Sequence, residues 1–401
     1  MTTHNAEWKE ASDQVFIGTY ARYPITMVRG EGCRLWDADG REYLDFLAGI
    51  AVVGLGHCHP AVTEAIRRQA GELVHVSNLY YTVPQTELAE LLVANTFAER
   101  VFMANSGAEA NEAAIKLARI ASDPGKFRII SLHGSFHGRT LATVAATGQS
   151  RFHKGFEPMP DGFDHVPAGD LAAVEAAITD ATCAILCEPV QGESGVLPLG
   201  RKYLQGLRQL CDRHGLLLIF DEVQTGIGRT GSLFAYQQLG VVPDIMTSAK
   251  GLGNGLPIGA MLTTARLAAK LGAGSHASTF GGNPVASAAG VATLKVLLAD
   301  GFLAELKRKG DFFKERLQGL ADRFPTLATE ARGLGLMLGL VLTPRGVELG
   351  GEIVNRMLAR GCIINFAGNT ALRFVPPLVV GGEEIDQLLH HLAETLTELS
   401  G

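Results

Sequence analysis

The chain predicts an α/β protein, with a large domain on a mainly parallel sheet flanked by helices and a smaller α+β domain drawn from both termini. Two observations carry this. Between about residues 60 and 285, short apolar runs alternate with helical periodicities, as a parallel sheet covered on both faces requires. From residue 286 the alternation gives way to long helical patterns and then mixed strands. The 48 glycines follow no triplet period, so they mark turns and close backbone approaches rather than a collagen-like chain.

Taken in order, Met27–Glu31, Arg34–Asp37 and Tyr43–Phe46 read as a small meander expected to pack on the C-terminal unit. Arg100–Met103, Arg128–Leu132, Thr182–Cys187, Leu216–Phe220 and Asp244–Thr247 are the strands of the large domain, because each is a short apolar run bounded by polar or turn-forming residues. Ala110–Ile120, Asp170–Ala177 and Arg201–His214 carry the apolar spacing of helices. Beyond them come helical patterns at Ala286–Leu298 and Phe302–Phe324. Strands follow at Leu336–Leu342, Cys362–Phe366 and Ala371–Phe374, then a terminal amphipathic helix at Glu383–Leu399. The expected division is residues 1–59 packing with the small domain, 60–285 as the large domain, and 286–401 as the small domain.

A net charge of −6, spread without acidic or basic blocks, argues against nucleic acid or an anionic membrane as partner. The N-terminus has no apolar core like that of a signal peptide, and the longest apolar runs fall far short of a membrane span. The six cysteines match neither a zinc nor a disulfide spacing, so reduced core thiols in a cytoplasmic protein and no metal site are expected. Cys183 and Cys187, four apart in a strand, are expected to face the same way.

Three features carry chemistry. The apolar run Leu216–Phe220 delivers Asp221 and Glu222 at its end, where open α/β sheets bind ligands. Lys250 ends a second strand and enters a loop with three glycines; a buried lysine loses its proton readily and forms an imine with an aldehyde. Asn105–Glu112 is a strand end, a small-residue turn at Ser106–Gly107–Ala108 and a helix start, which suits either a phosphate or an ordinary N-cap at Ser106. Taken singly, each has a bland reading. Together, a phosphate cradle, an aldehyde-capturing lysine and a strand-end carboxylate are what pyridoxal 5'-phosphate needs.

Six motifs in order then resemble the class III, ornithine-type aminotransferases. They are Asn-Ser-Gly-Ala-Glu-Ala-Asn from 105, Phe-His-Gly-Arg-Thr from 136, Glu-Pro-Val-Gln-Gly-Glu from 188, Asp-Glu-Val-Gln from 221, Ser-Ala-Lys from 248 and Ser-Thr-Phe-Gly-Gly-Asn-Pro from 278. The resemblance runs from about Gly30 to the C-terminus and implies fold type I of the pyridoxal-phosphate transferases. Gly49–Pro60 and Leu233–Tyr236 resemble the branch that moves the terminal amine of N2-acetyl-L-ornithine to 2-oxoglutarate. Ile50 stands where ornithine-specific members carry tyrosine, so an apolar wall is expected to face the acyl group. Acyl preference between acetyl and succinyl, action on succinyldiaminopimelate, ornithine or 4-aminobutyrate, and an aminomutase reaction stay open.

The resemblance also implies roles. Lys250 would hold the cofactor and move the substrate proton, and Asp221 would pair with the ring nitrogen. Val223 and Phe136 would cover the ring faces, and Gln224 would bond the ring's phenolic oxygen. Ser106, Gly107 and Ala108 would take the phosphate, although family members more often carry threonine at the last position. Arg139 would clamp the substrate carboxylate, with Arg373 as a second carboxylate site neutralised by Glu193. The last two are equally readable as a structural ion pair. Ser278 and Thr279 would reach the neighbouring subunit's site, which implies a homodimer with shared active sites. His57 and His59 are expected to be structural, and His133, His137 and His153 to lie behind the site or at the surface. Tyr80 and Tyr81 either border the substrate channel or pack at the dimer interface.

Overall fold

The computed structural model describes residues 4–400. Its largest sheet has seven strands: β1 (Arg100–Ala104), β2 (Arg128–Leu132), β3 (Phe163–Val166), β4 (Thr182–Cys187), β5 (Leu217–Asp221), β6 (Ile245–Ser248) and β7 (Gly259–Thr263). They lie in the order β1-β7-β6-β5-β4-β2-β3. Strand β7 runs antiparallel to both its neighbours, while the pairs from β6 to β3 are parallel. The central strands are covered on both faces, and every residue of β4 and β6 is buried. That is why they read as apolar runs rather than alternating ones.

Strand β7 has no such signature, since it opens on glycine and carries small residues. Its Gly259 is required by contact: a Cβ there would sit 2.2 Å from the Ser106 carbonyl oxygen. The helix Gly107–Ala121 begins three residues earlier than its apolar spacing indicates, because the Ser106 hydroxyl accepts the Glu109 N–H at 3.1 Å and caps it. Buried alanines 110, 113, 114 and 118 let it lie close to β6 and β7.

Two expectations about cysteine are corrected. The pairing of β2 with β4 runs Arg128↔Thr182, then Ile129↔Ala184, leaving Cys183 as the extra residue of a bulge. Cys183 therefore packs with Ala184 and Leu186, and Cys187 packs with Ile185 on the other face. Cys58 is exposed, so it is not a core thiol.

In the smaller unit Ala328–Leu334, Met337–Leu342, Ala371–Phe374 and Asn365–Ala367 form one antiparallel sheet. The run expected as one strand, Cys362–Phe366, is split between two sheets. Cys362–Ile363 pairs in parallel with Glu42–Asp45 of the N-terminal meander, and Asn365–Ala367 pairs with Ala371–Phe374. A short run that is apolar apart from Asn365 carries no mark of which sheet edge each residue will join. Phe46, Phe313 and Phe374 tie the same regions together by edge-to-face contacts, each with 5.6 Å between centroids. The helix Pro284–Leu297 starts two residues early, with Asn283 as its cap, and packs on Pro60–Glu72 and Val83–Ala94. Among the described residues no single helix is long and apolar enough to cross a membrane.

Candidate active site

The C-terminal ends of β1, β4, β5 and β6 open into a cavity of about 400 Å³. Ser106, Gly107, Ala108, Phe136, Arg139, Asp221, Val223, Gln224 and Lys250 all line it.

Strand β5 carries Asp221 out of the core and leaves it 3% exposed. Its Oδ2 accepts from His137 Nδ1 and Asn111 Nδ2, both at 2.8 Å, and its Oδ1 accepts the Val223 N–H at 3.0 Å. Asn111 Oδ1 in turn accepts the Thr247 hydroxyl at 2.7 Å, so the helix after β1 and strand β6 both brace the carboxylate. The neighbouring Glu222 turns the other way, accepting from Thr225 Oγ1 at 2.6 Å and from the N–H groups of Ala235 and Tyr236 at 2.8 and 2.7 Å. Burial pushes it up to about 7. One carboxylate thus faces the cavity and its neighbour anchors a loop.

Lys250 follows β6 at φ +44° and starts a turn through Gly253. Burial pulls its ammonium down to about 8; Glu193 opposes that shift and Arg373 adds to it. The neutral amine, which is the nucleophile, therefore gains population as pH rises through 8 rather than through the ordinary lysine range. Capture of an aldehyde by cofactor-free protein is expected to accelerate with pH and level off above a midpoint near 8. Stopped-flow absorbance checks this, and a midpoint above 10 would show Lys250 to be solvated.

At the turn after β1, the N–H groups of Gly107 and Ala108 sit in the first turn of a helix, where they have no intrahelical acceptor. Gly107 must lack a side chain, since a Cβ would lie 2.7 Å from Val223 Cγ1. Arg139 lies with its guanidinium carbon 4.0 Å from the Phe152 ring centroid and 5.4 Å from that of Phe136. Aromatic faces hold the cation and leave its N–H fork open to an anion.

Arg373 is 1% exposed and reaches Glu193 Oε1 at 2.5 Å, Gly192 O at 3.1 Å and Gln224 Oε1 at 3.2 Å. Burial works against the Glu193 carboxylate, but Arg373 holds it below the usual range. Gln224 therefore bridges the cavity wall to this ion pair. Ser278 stands beside the turn after β1, its hydroxyl accepting Asn105 Nδ2 at 3.1 Å. Thr279 is exposed and lines no part of this cavity, so one chain alone does not bring it to Lys250.

Two residues of the wall carried no signal that set them apart. His137 is buried against Asp221, and its Nε2 has no hydrogen-bond partner. In sequence it is one of several histidines near the motifs. Glu188 ends β4 and accepts the N–H groups of Phe136 at 3.0 Å and Gly192 at 3.3 Å, tying two loops of the site together. Burial pushes it up to about 7. Its place in the same motif as Glu193 was the one available pointer.

An anion cradle, a lysine poised to be neutral, a braced carboxylate and an aromatic face in one cavity fit pyridoxal 5'-phosphate and define the site of an enzyme that uses it. Comparison with known proteins gives the family. The model of the class III aminotransferases matches residues 18–396. An acetylornithine aminotransferase of Caldanaerobacter subterraneus is 50% identical over 387 residues, 96% of this chain and 97% of that one. A Pseudomonas aeruginosa protein named succinylornithine transaminase/acetylornithine aminotransferase is 48% identical, covering 100% of this chain and 99% of its own. The crystal structure of the Toxoplasma gondii ornithine aminotransferase superposes with a TM-score of 0.94 at 31% identity, over 99% of this chain and 96% of that one. The chain belongs to the class III aminotransferases and is a pyridoxal-phosphate-dependent enzyme.

Proposed function

We propose that the protein transfers the terminal amino group of N2-acetyl-L-ornithine to 2-oxoglutarate, giving N-acetyl-L-glutamate 5-semialdehyde and L-glutamate. The observation that carries this reading is the contrast between Arg139 in the cavity wall and Arg373 directly behind it, against Gln224 of that wall. Arg139 keeps its N–H fork free over two aromatic rings, while Arg373 is masked by Glu193. One carboxylate site is always ready, and the second becomes available only when Glu193 withdraws. Such a pair accepts in turn a donor with one carboxylate near its blocked amine and a dicarboxylate such as glutamate.

The bound cofactor supplies an aldehyde for the donor amine and an electron-accepting ring. The chain supplies the rest. Asp221, braced by His137 and Asn111, would keep a ring nitrogen protonated. Phe136 and Val223 would cover the ring faces, Gln224 would hydrogen-bond the phenolic oxygen, and the N–H groups after Ser106 would hold the phosphate. Lys250 would anchor the group and serve as the base and acid for the substrate proton. Val52, in the cavity wall, and the exposed Ile50 two residues before it would offer an apolar surface to the acyl group.

A panel of donors at saturating 2-oxoglutarate tests the substrate. N2-acetyl-L-ornithine is expected to exceed free ornithine and 4-aminobutyrate by at least about tenfold in kcat/KM, the difference one buried apolar group makes. Either free amine winning by that margin would refute the choice. N2-succinyl-L-ornithine belongs in the panel, because the Pseudomonas aeruginosa relative is named for both acyl donors.

The same reading carries a cytoplasmic enzyme of arginine biosynthesis, built from the three segments 1–59, 60–285 and 286–401 and acting as a homodimer. Exposed Leu79, Tyr80, Tyr81, Val83 and Phe280 support the pairing, since they leave apolar surface that water disfavours on the two segments joined by Asn78 and Ser278. Tyr81 and Val83 also edge a groove of about 710 Å³ between Pro60–Glu72 and Pro284–Leu297, which suits Tyr80 and Tyr81 to an interface. Thr279 would then complete the partner's phosphate site.

A further inference from the structure

Four consecutive residues just before Val52 of the cavity wall adopt the left-handed conformation. Ala48, Gly49, Ile50 and Ala51 have φ of +51°, +62°, +65° and +62°. Only one of them is glycine, and a β-branched residue in this region is a rare outlier that persists only where its surroundings force it.

The forcing groups can be named. Asp45, 1% exposed, accepts the N–H groups of Leu47 and Ala48 through Oδ1, each at 2.8 Å. Its Oδ2 meets His57 Nε2 at 2.7 Å, so the carboxylate pins the start of the segment and ties it to the chain beyond its end. Within it, the N–H groups of Ala51 and Val52 return to the carbonyls of Leu47 and Ala48 at 2.9 and 2.8 Å. Asn254, itself left-handed at φ +44°, accepts the Leu55 N–H at 2.7 Å and donates to Gly56 O at 3.2 Å. Asn254 also closes the turn that begins at Lys250. The segment is thus stretched between the end of an N-terminal strand and the lysine turn. Ile50 is left 44% exposed, two residues before Val52, which stands in the wall.

We propose that Asp45 is a positioning residue for donor selection: through this strained turn it presents Ile50 and Val52 to the acyl group of the donor. The inference rests on the acylated-diamine reading above. Glutamate and 2-oxoglutarate carry no acyl group, so the turn discriminates in one half-reaction and not the other. Relaxation of the turn toward the right-handed region would swing Ile50 away, while Asn254 still ties Leu55 and Gly56 to the lysine turn and Asp221 stays on β5.

Two variants of the cofactor-loaded protein test this. Asp45→Asn keeps one acceptor oxygen but faces His57 with an amide. Ile50→Gly deletes the wall side chain and suits a positive φ, so it spares the fold even where Asp45→Asn does not. The wild-type donor panel, run first, decides the donor reading on its own, and the variants use whichever acylated diamine it prefers. Both variants are expected to raise the KM for that donor by about tenfold or more, with kcat at saturation and the KM for 2-oxoglutarate within about threefold of wild type. Ile50→Gly is expected to melt no lower than wild type. An unchanged donor KM in Ile50→Gly would overturn the proposal. So would Asp45→Asn raising both KM values together as its melting temperature falls, the signature of a merely structural carboxylate.

Discussion

Lys250→Ala is expected to abolish turnover, lowering kcat by about 10⁴-fold or more. The lysine is asked to do two things that no neighbour can take over. It is the one amine in the cavity wall, and burial has already brought its proton affinity down to about 8, so the covalent anchor and the proton carrier are lost together. The substitution leaves the phosphate turn and the Asp221 brace intact, so the protein is expected to fold and still hold the cofactor noncovalently. Its visible absorbance should then lack the band of the lysine-bound form. Activity within about tenfold of wild type would place the chemistry elsewhere.

Asp221→Ala is expected to cost about 10³-fold in kcat and to loosen the cofactor. The carboxylate is buried, and three donors converge on it: His137 Nδ1, Asn111 Nδ2 and the Val223 N–H. Removing it would take away the negative charge that keeps a ring nitrogen protonated, and it strands donors that are buried. Asp221→Asn separates the two effects, because it keeps the shape and removes the charge. Its kcat is expected to fall nearly as far as that of the alanine variant, with a smaller loss of thermal stability. Steady-state kinetics and cofactor retention on dialysis check both variants. A kcat near wild type in the asparagine variant would remove the carboxylate's charge from the account.

The parts of this protein written most openly in its sequence are those whose physics is local. The buried parallel strands show as apolar runs because both their faces are covered. The helix Arg201–His214 shows to the residue because it stops at a left-handed glycine, Gly215. Strand β7 stayed hidden, since its glycine and small residues answer to close contact with Ser106 rather than to strand propensity. The splitting of Cys362–Phe366 depends on which sheet edges meet in space, and the reversal of Cys183 depends on a single bulged residue. In the site, the strand-end carboxylate, the lysine and the phosphate turn were legible because strand ends and helix starts impose chemistry at fixed places. His137 and Glu188 were not. Each acts by reaching a group on another element, and no spacing along the chain records that meeting. The left-handed turn at 48–51 was likewise invisible, because its cause is Asp45 and His57 closing on it in three dimensions.

The account's central claim is that this cavity moves an amino group from an acylated diamine to 2-oxoglutarate. The most direct test follows the nitrogen itself. Cofactor-loaded protein is given N2-acetyl-L-ornithine with an isotopic label on the terminal amine, together with unlabelled 2-oxoglutarate, and the products are read by mass spectrometry. The label is predicted in glutamate, in step with formation of the semialdehyde and absent when 2-oxoglutarate is withheld over many turnovers. Label that stays on the donor's own carbon skeleton, in a rearranged amine with no labelled glutamate, would mean a mutase and contradict the account.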